Sequence, residues 1–156
     1  LGAALLAREQ GDAAGGWQSR FAWGAGEARA ERERCARYYL ENLADLGSLD
    51  LPRLHVGAED HAWHLFQVVL KPDARLSRNA CIEKLAERGI GTSVHYKPLH
   101  RMTYYRQRYR LQPEDFPEAE RIWQGCVSLP IYPTMTEADT EDVIAAVSKL
   151  LLYYKR

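Results

Sequence analysis

Apolar positions along this chain change period several times, and each change marks an element. From Glu27 onward Ala36, Leu40, Leu43 and Leu46 recur at helical spacing with charges between them, and Gly47 supplies a stop, so a long helix over Glu27 to Leu46 is expected. The run HAWHLFQVVL, His61 to Leu70, is rich in aromatic and β-branched residues and ends at Lys71-Pro72, which predicts a strand. In such a strand His64, beside Trp63 and Phe66, would be a buried, hydrogen-bonded histidine. Ser77 can cap a helix through Arg88 that turns Cys81, Ile82, Leu85 and Ala86 inward, and Gly89 suits a left-handed exit.

A short strand is expected at Thr92 to Tyr96, stopped by Pro98, followed by a helix at Met102 to Tyr109 and another begun by Pro117 in its first turn. A strand near Cys126 to Ile131 and a last helix from Glu137 to about Tyr153 complete the pattern. Thr136 with Asp139 forms a capping pair for that helix, and Val143, Val147, Leu150 and Tyr154 form its apolar stripe. Residues 1–26 differ: they hold six of the eleven glycines, which interrupt any helical period, so a poorly ordered or atypical segment is expected there. The fold class implied is a small two-layer α/β (α+β) domain over 27–156. Its sheet has three to four strands, mainly antiparallel, covered by helices and preceded by a long connecting helix.

Composition narrows the classes. The chain has 156 residues, 46% apolar and 27% charged, room for one domain with a real core. No apolar run reaches the length a bilayer requires, so no membrane partner is expected. Lysine plus arginine and aspartate plus glutamate are both 21, which gives no general attraction for polyanions. Cys35, Cys81 and Cys126 are odd in number and lie far apart, against a disulfide framework or a zinc site, and in favour of the cytoplasm. His55 and His61 lack partner acids at ligand spacing and are expected on the surface; no metal site is expected.

Candidate chemistry concentrates in Gly89 to His100, GIGTSVHYKPLH, where a glycine releases the chain from a helix and a short strand carries His95 and Tyr96 to a sheet edge. Pro98 ends the pairing, so Lys97 to His100 leave as a loop. Imidazole, phenol and ammonium groups suit the hydroxyls and diphosphate of a sugar nucleotide. His95 and Tyr96 are the first candidates for a ligand-facing edge, with Lys97 and His100 in second rank. The competing reading is that a His-Tyr pair at a strand end is structural.

Together with RERCARYYLENL, AWHLFQVVL, DFPEAERIWQGCVSLPIYP and TEADTEDVIAAV, this block resembles the C-terminal small domain of the DegT/DnrJ/StrS family of sugar aminotransferases, over Glu31 to Leu150. The resemblance implies a fold-type-I enzyme that uses pyridoxal phosphate to move an amino group, commonly from glutamate, to a keto sugar carried on a nucleotide. It also implies a large cofactor-binding domain as partner, a homodimer, and a nucleotide-sugar substrate bound at His95, Tyr96, Lys97 and His100. In the family the lysine bonded to the cofactor lies in the large domain. None of Lys71, Lys84, Lys97, Lys149 and Lys155 stands in its sequence context, so no catalytic residue is assigned, the cofactor-binding residues are unknown, and the chain alone is expected neither to bind the cofactor nor to transaminate.

Two alternatives belong to other classes. The stretch Arg101 to Arg110, RMTYYRQRYR, interleaves arginine and tyrosine as a nucleic-acid-binding module would, although a solvated helix with its tyrosines against the sheet fits a neutral chain better, so a nucleic-acid partner is disfavoured. The other is a stand-alone interaction module, in which the apolar stripe of the connecting helix would seek a partner.

Overall fold

The computed structural model describes residues 25–53 and 61–154. The expectations for residues 1–24 and for His55 therefore lie outside the described residues. Element order is α1 (Ala25–Leu43), β1 (Leu49–Asp50), β2 (Phe66–Leu70), α2 (Arg78–Ala86), α3 (Thr103–Tyr109), α4 (Pro117–Gly125), β3 (Cys126–Leu129) and α5 (Glu137–Tyr154), with single 3-10 turns at Leu99–Arg101 and Pro113–Asp115. The three strands form one antiparallel sheet in the order β1-β2-β3.

Alternation along β2 organises the layers. Phe66, Val68 and Leu70 are buried, while Gln67 and Val69 between them are half-buried, the period of two expected of a strand. The register sets Phe66 opposite Leu129 and Val68 opposite Val127 on the core face; Gln67 lies opposite Ser128 and Val69 opposite Cys126 on the other. Helices α1, α2 and α5 cover the core face through Cys35, Ala36, Tyr39, Leu43, Cys81, Leu85, Val143, Val147 and Leu150. Tyr39 stacks obliquely on Phe66 at 4.9 Å, and its hydroxyl donates to the carbonyl of Pro130 at 2.9 Å, so a buried phenol keeps its polar end satisfied.

Local chemistry sets the helix ends. Ser77 Oγ accepts from the backbone N–H of Ala80, and Gly89 follows α2 with φ +77°, the left-handed exit predicted for it. At α5, Thr136 Oγ1 accepts from the N–H of Asp139 at 3.1 Å while Asp139 Oδ2 accepts from the N–H of Thr136 at 2.8 Å, a reciprocal cap with aspartate in the usual place of glutamate.

Several expectations are corrected. The strand starts at Phe66, not His61, because Trp63 takes a left-handed φ of 46° that breaks the pleat and turns its indole into the core. His64 is consequently exposed rather than buried. Thr92 to Tyr96 contributes one bridge, Ser93 with Ser128, in place of a strand, and the third strand of the sheet is the two-residue β1, too short to show any period. Helix α1 ends at Leu43, three residues before the expected end at Leu46, and Ala86 of α2 faces solvent. Of the expected α1 stripe, Ala36 and Leu43 are buried in the domain's own core, while Leu40 and Leu46 are half-buried against it.

Candidate functional site

The exit from α2 fixes where the GIGTSVHY segment lies. The N–H of Ile90 donates back to Leu85, and three residues later Ser93 exchanges both backbone hydrogen bonds with Ser128, at 3.2 and 2.8 Å. That bridge places the segment against the free edge of β3, as a rudiment of a fourth strand. Two residues further on, the His95 ring brings Nδ1 to 2.8 Å from Ser128 Oγ, and its carbonyl accepts from Gln67 Nε2 across the same sheet face. Ser128 is itself buried, held by the ladder through its backbone. The His95 ring is thereby oriented through Nδ1, which leaves Nε2 as the nitrogen available to a ligand.

His95 lines a cleft of about 980 Å³ between the 88–95 segment, the chain leaving β3 at Pro130 to Tyr132, and α5. Its polar wall also carries Arg88, Ser128, Tyr132 and Lys149, with Asp139 and Asp142. Partial burial raises the Tyr132 phenol above its ordinary value, with smaller contributions from Asp139 and Cys35, so it remains a neutral hydroxyl able to donate or accept. A wall with one oriented imidazole, hydroxyls and separate cations can bind and position a polar ligand.

The four sequence candidates separate. His95 faces the cleft. Tyr96 packs edge-on to the His95 ring at 4.9 Å and is 72% exposed, and Lys97 beside it is also exposed; neither lines the cleft. His100 goes inward. It is buried, stacks on Phe116 at 4.8 Å, and its Nε2 lies 2.5 Å from Glu120 Oε1. Arg101 grips both oxygens of the same carboxylate at 2.6 Å. The Arg101 hydrogen bonds, then that of His100, pull the Glu120 carboxyl down to about 2. This clasp ties the loop after Pro98 to α4 and fixes the far end of the segment that carries His95.

Sequence reasoning passed over Ser128 and Gln67, whose contacts with His95 depend on strand register; the serine in CVSLP was the available signal. Helix α3 has no buried residue. Tyr104 and Tyr109 are 67% and 59% exposed, so its tyrosines do not pack on the sheet as expected. Among the described residues no group of histidine, cysteine and acidic side chains is placed to hold a metal ion, and no helix is long and apolar enough to cross a membrane.

The DegT/DnrJ/EryC1/StrS aminotransferase family matches residues 24–148. Protein MJ1066 of Methanocaldococcus jannaschii is 40% identical over 124 residues, 79% of this chain and 32% of the relative. The spore coat polysaccharide biosynthesis protein SpsC of Bacillus subtilis is 36% identical over 129 residues, 80% of this chain and 32% of the relative. Among solved structures, DesV of S. venezuelae, determined in complex with a ketimine intermediate, superposes with a TM-score of 0.68 at 32% identity, covering 80% of this chain and 32% of that one. The chain thus spans about a third of the length of the relatives it matches.

Proposed function

Because this chain belongs to the DegT/DnrJ/EryC1/StrS aminotransferase family, we propose that it forms the substrate-side portion of an aminotransferase acting on a nucleotide-linked keto sugar, with glutamate as amino donor. The observation that carries the reading is the fixed His95: an imidazole clamped through Nδ1 by buried Ser128, with its main chain held by Gln67, at the mouth of a polar cleft. In this reading His95 Nε2 and the Tyr132 hydroxyl hydrogen-bond the sugar hydroxyls inside the cleft. Tyr96 and Lys97, exposed beside it, meet the part of the substrate that projects outward, with Lys97 next to its diphosphate. His100 contributes by fixing the loop and makes no contact with the substrate.

Pyridoxal phosphate supplies the reaction with an electron sink and a carbonyl group that condenses with amines. The described lysines do not fit the role of its covalent anchor. That role needs an amine made nucleophilic by desolvation or by a neighbouring cation. Lys71 lies 3.6 Å from Asp50 and Lys84 3.1 Å from Glu87, while Lys97 and Lys149 are exposed, the latter on a cleft wall that also carries Asp142. The proposal therefore places the anchor in a large domain that partners this one, within a homodimer, and this chain's part is binding and positioning.

Two measurements test it. Titrating a uridine diphosphate sugar into isotopically labelled protein should shift the amides of 93–97, Ile131 and Tyr132, and His95→Ala should abolish those shifts; shifts confined to other regions would sink the substrate assignment. Incubation of the chain alone with one equivalent of pyridoxal phosphate and borohydride should give no saturating adduct on any single lysine, only the sparse, unselective labelling that exposed amines undergo. A stoichiometric adduct on one lysine, with turnover of glutamate, would overturn the assignment of the anchor to another domain.

A further inference from the structure

A second cavity, of about 490 Å³, lies at the end of the sheet where the chain leaves β2 and enters β3, and it shares no lining residue with the His95 cleft. Four cationic side chains line it: Lys71, Arg78, Arg101 and Arg121. Among the described residues of its wall none is acidic, and the uncharged polar groups there include those of Asn79 and Gln124. The carboxylates that pair with three of the cations stand outside the wall: Asp50 beside Lys71 and Arg121, Glu118 beside Arg121, and Glu120 beside Arg101.

Arg78 is different. It is in no ion pair among the described residues, yet it is held in place. Its guanidinium lies over the Trp123 ring at 4.6 Å, Nη1 donates to the Trp123 carbonyl at 3.1 Å, and Nε donates to Asn79 Oδ1 at 2.8 Å. Those contacts fix the plane of the guanidinium and leave Nη2 without a hydrogen-bond acceptor among the described residues. A half-buried, pre-positioned guanidinium on a concave wall of one sign of charge is the arrangement that recognises a phosphate, since the ordering of the side chain is already accomplished before the ligand arrives.

We propose that this cavity binds the phosphate group of a small phosphorylated molecule, with Arg78 as the primary contact and Arg121 and Lys71 as secondary ones. The site is independent of the reading at His95. Its volume falls within the ordinary range for small-ligand pockets and exceeds what a bare phosphate fills, so an ester or diphosphate is the expected form. Arg121 is exposed and shared with Asp50 and Glu118, so it contributes charge more than geometry.

The test uses the full chain labelled at tryptophan indole nitrogens, with the Trp123 signal identified by Trp123→Phe. Inorganic phosphate, pyrophosphate, uridine monophosphate and uridine are titrated at constant ionic strength. A saturable shift of the Trp123 signal is expected with the phosphorylated probes and not with uridine, weakened about tenfold by Arg78→Gln and severalfold by Arg121→Gln. His95→Ala should leave it unchanged. Tighter binding of the nucleotide than of the inorganic anions assigns an ester as the ligand, and the reverse order assigns a free anion; both support a phosphate site. No saturable shift at millimolar phosphate or pyrophosphate overturns the proposal, as does an equal response to uridine or to sodium chloride. Should Arg78→Gln fail to fold, as circular dichroism would show, an undiminished response in Arg121→Gln also overturns it.

Discussion

Gly125 closes α4 at the point where the chain turns directly into β3, and its α-carbon lies against the backbone of β2. A β-carbon added there would stand 2.3 Å from the Leu70 carbonyl oxygen, 2.9 Å from Val69 Cγ1 and 3.1 Å from the Leu70 nitrogen. Carbon and oxygen rarely approach closer than about 3.3 Å, so the methyl group of alanine is short of space by roughly 1 Å. Two of the three atoms in the way are main chain, in a strand whose Val69 pairs with Cys126 next to the glycine, so no side-chain rotation relieves the clash. Strand and helix end must part. Overpacking of this kind costs about 1–3 kcal/mol, and the backbone contacts place Gly125→Ala toward the upper end, at about 2–3 kcal/mol. For a chain of this size that lowers the melting temperature by roughly 4–12 °C. Urea unfolding followed by circular dichroism measures it, with two internal controls. Gly91 has open space around its α-carbon and no left-handed φ, so Gly91→Ala should change stability by less than about 1 kcal/mol. Gly89 has equal space but φ +77°, so Gly89→Ala should cost about 1–2 kcal/mol through the backbone alone. If Gly125→Ala proves as stable as Gly91→Ala, the close approach of α4 to β2 described above is wrong.

The Glu120 clasp predicts a specific acid limb. Its carboxyl is depressed in the folded protein from 4.5 to about 2, so the stability it confers is complete above about pH 4.5 and is lost as pH falls toward about 2. Glu120→Gln should make the acid limb of unfolding curves visibly shallower, leaving the part due to Asp139, which its Thr136 hydrogen bonds also hold low, and a variant retaining the full acid limb would contradict the assignment. At the start of α5, Thr136→Ala removes both the acceptor for the Asp139 N–H and the donor to the Asp139 carboxylate, and should cost about 1 kcal/mol in thermal unfolding. Thr136→Ser, which keeps the hydroxyl, should recover most of it; equal loss in both variants would show that the hydroxyl is not the cap.

What was legible in the sequence follows from how local each cause is. Ser77, Gly89, Pro117 and the Thr136–Asp139 pair act within one turn of backbone, and each ended or began a helix close to where its chemistry indicates. The antiparallel sheet was legible as a class, but its membership was not. Nothing in Leu49–Asp50 distinguishes a two-residue strand from a loop until Leu49 is seen opposite Leu70. His61 to Leu65 carries strand-forming residues, yet tertiary demand for the Trp63 indole in the core overrides them. The functional segment was recognisable from its motif, whereas the partners of His95 were not. Ser128 and Gln67 reach it across the sheet, from more than 25 positions away along the chain. The Arg78 cavity is assembled the same way, from residues that mean little until β2, α2 and α4 meet.

The packing of α1 on α5 also sets an order of events during synthesis. The first and last described helices share one core, so Tyr39 and Leu43, made early, find part of their cover on β2 and the rest only when Val143, Val147 and Leu150 have been made. Contacts of such long sequence separation form late, after a loop of about a hundred residues has been closed. A nascent chain halted before α5 would leave the part of α1 that α5 covers bare, a sticky surface with ample time to meet other chains. The completed domain covers Tyr39 and Leu43, so the arrival of the last described helix bears directly on the balance between folding and aggregation.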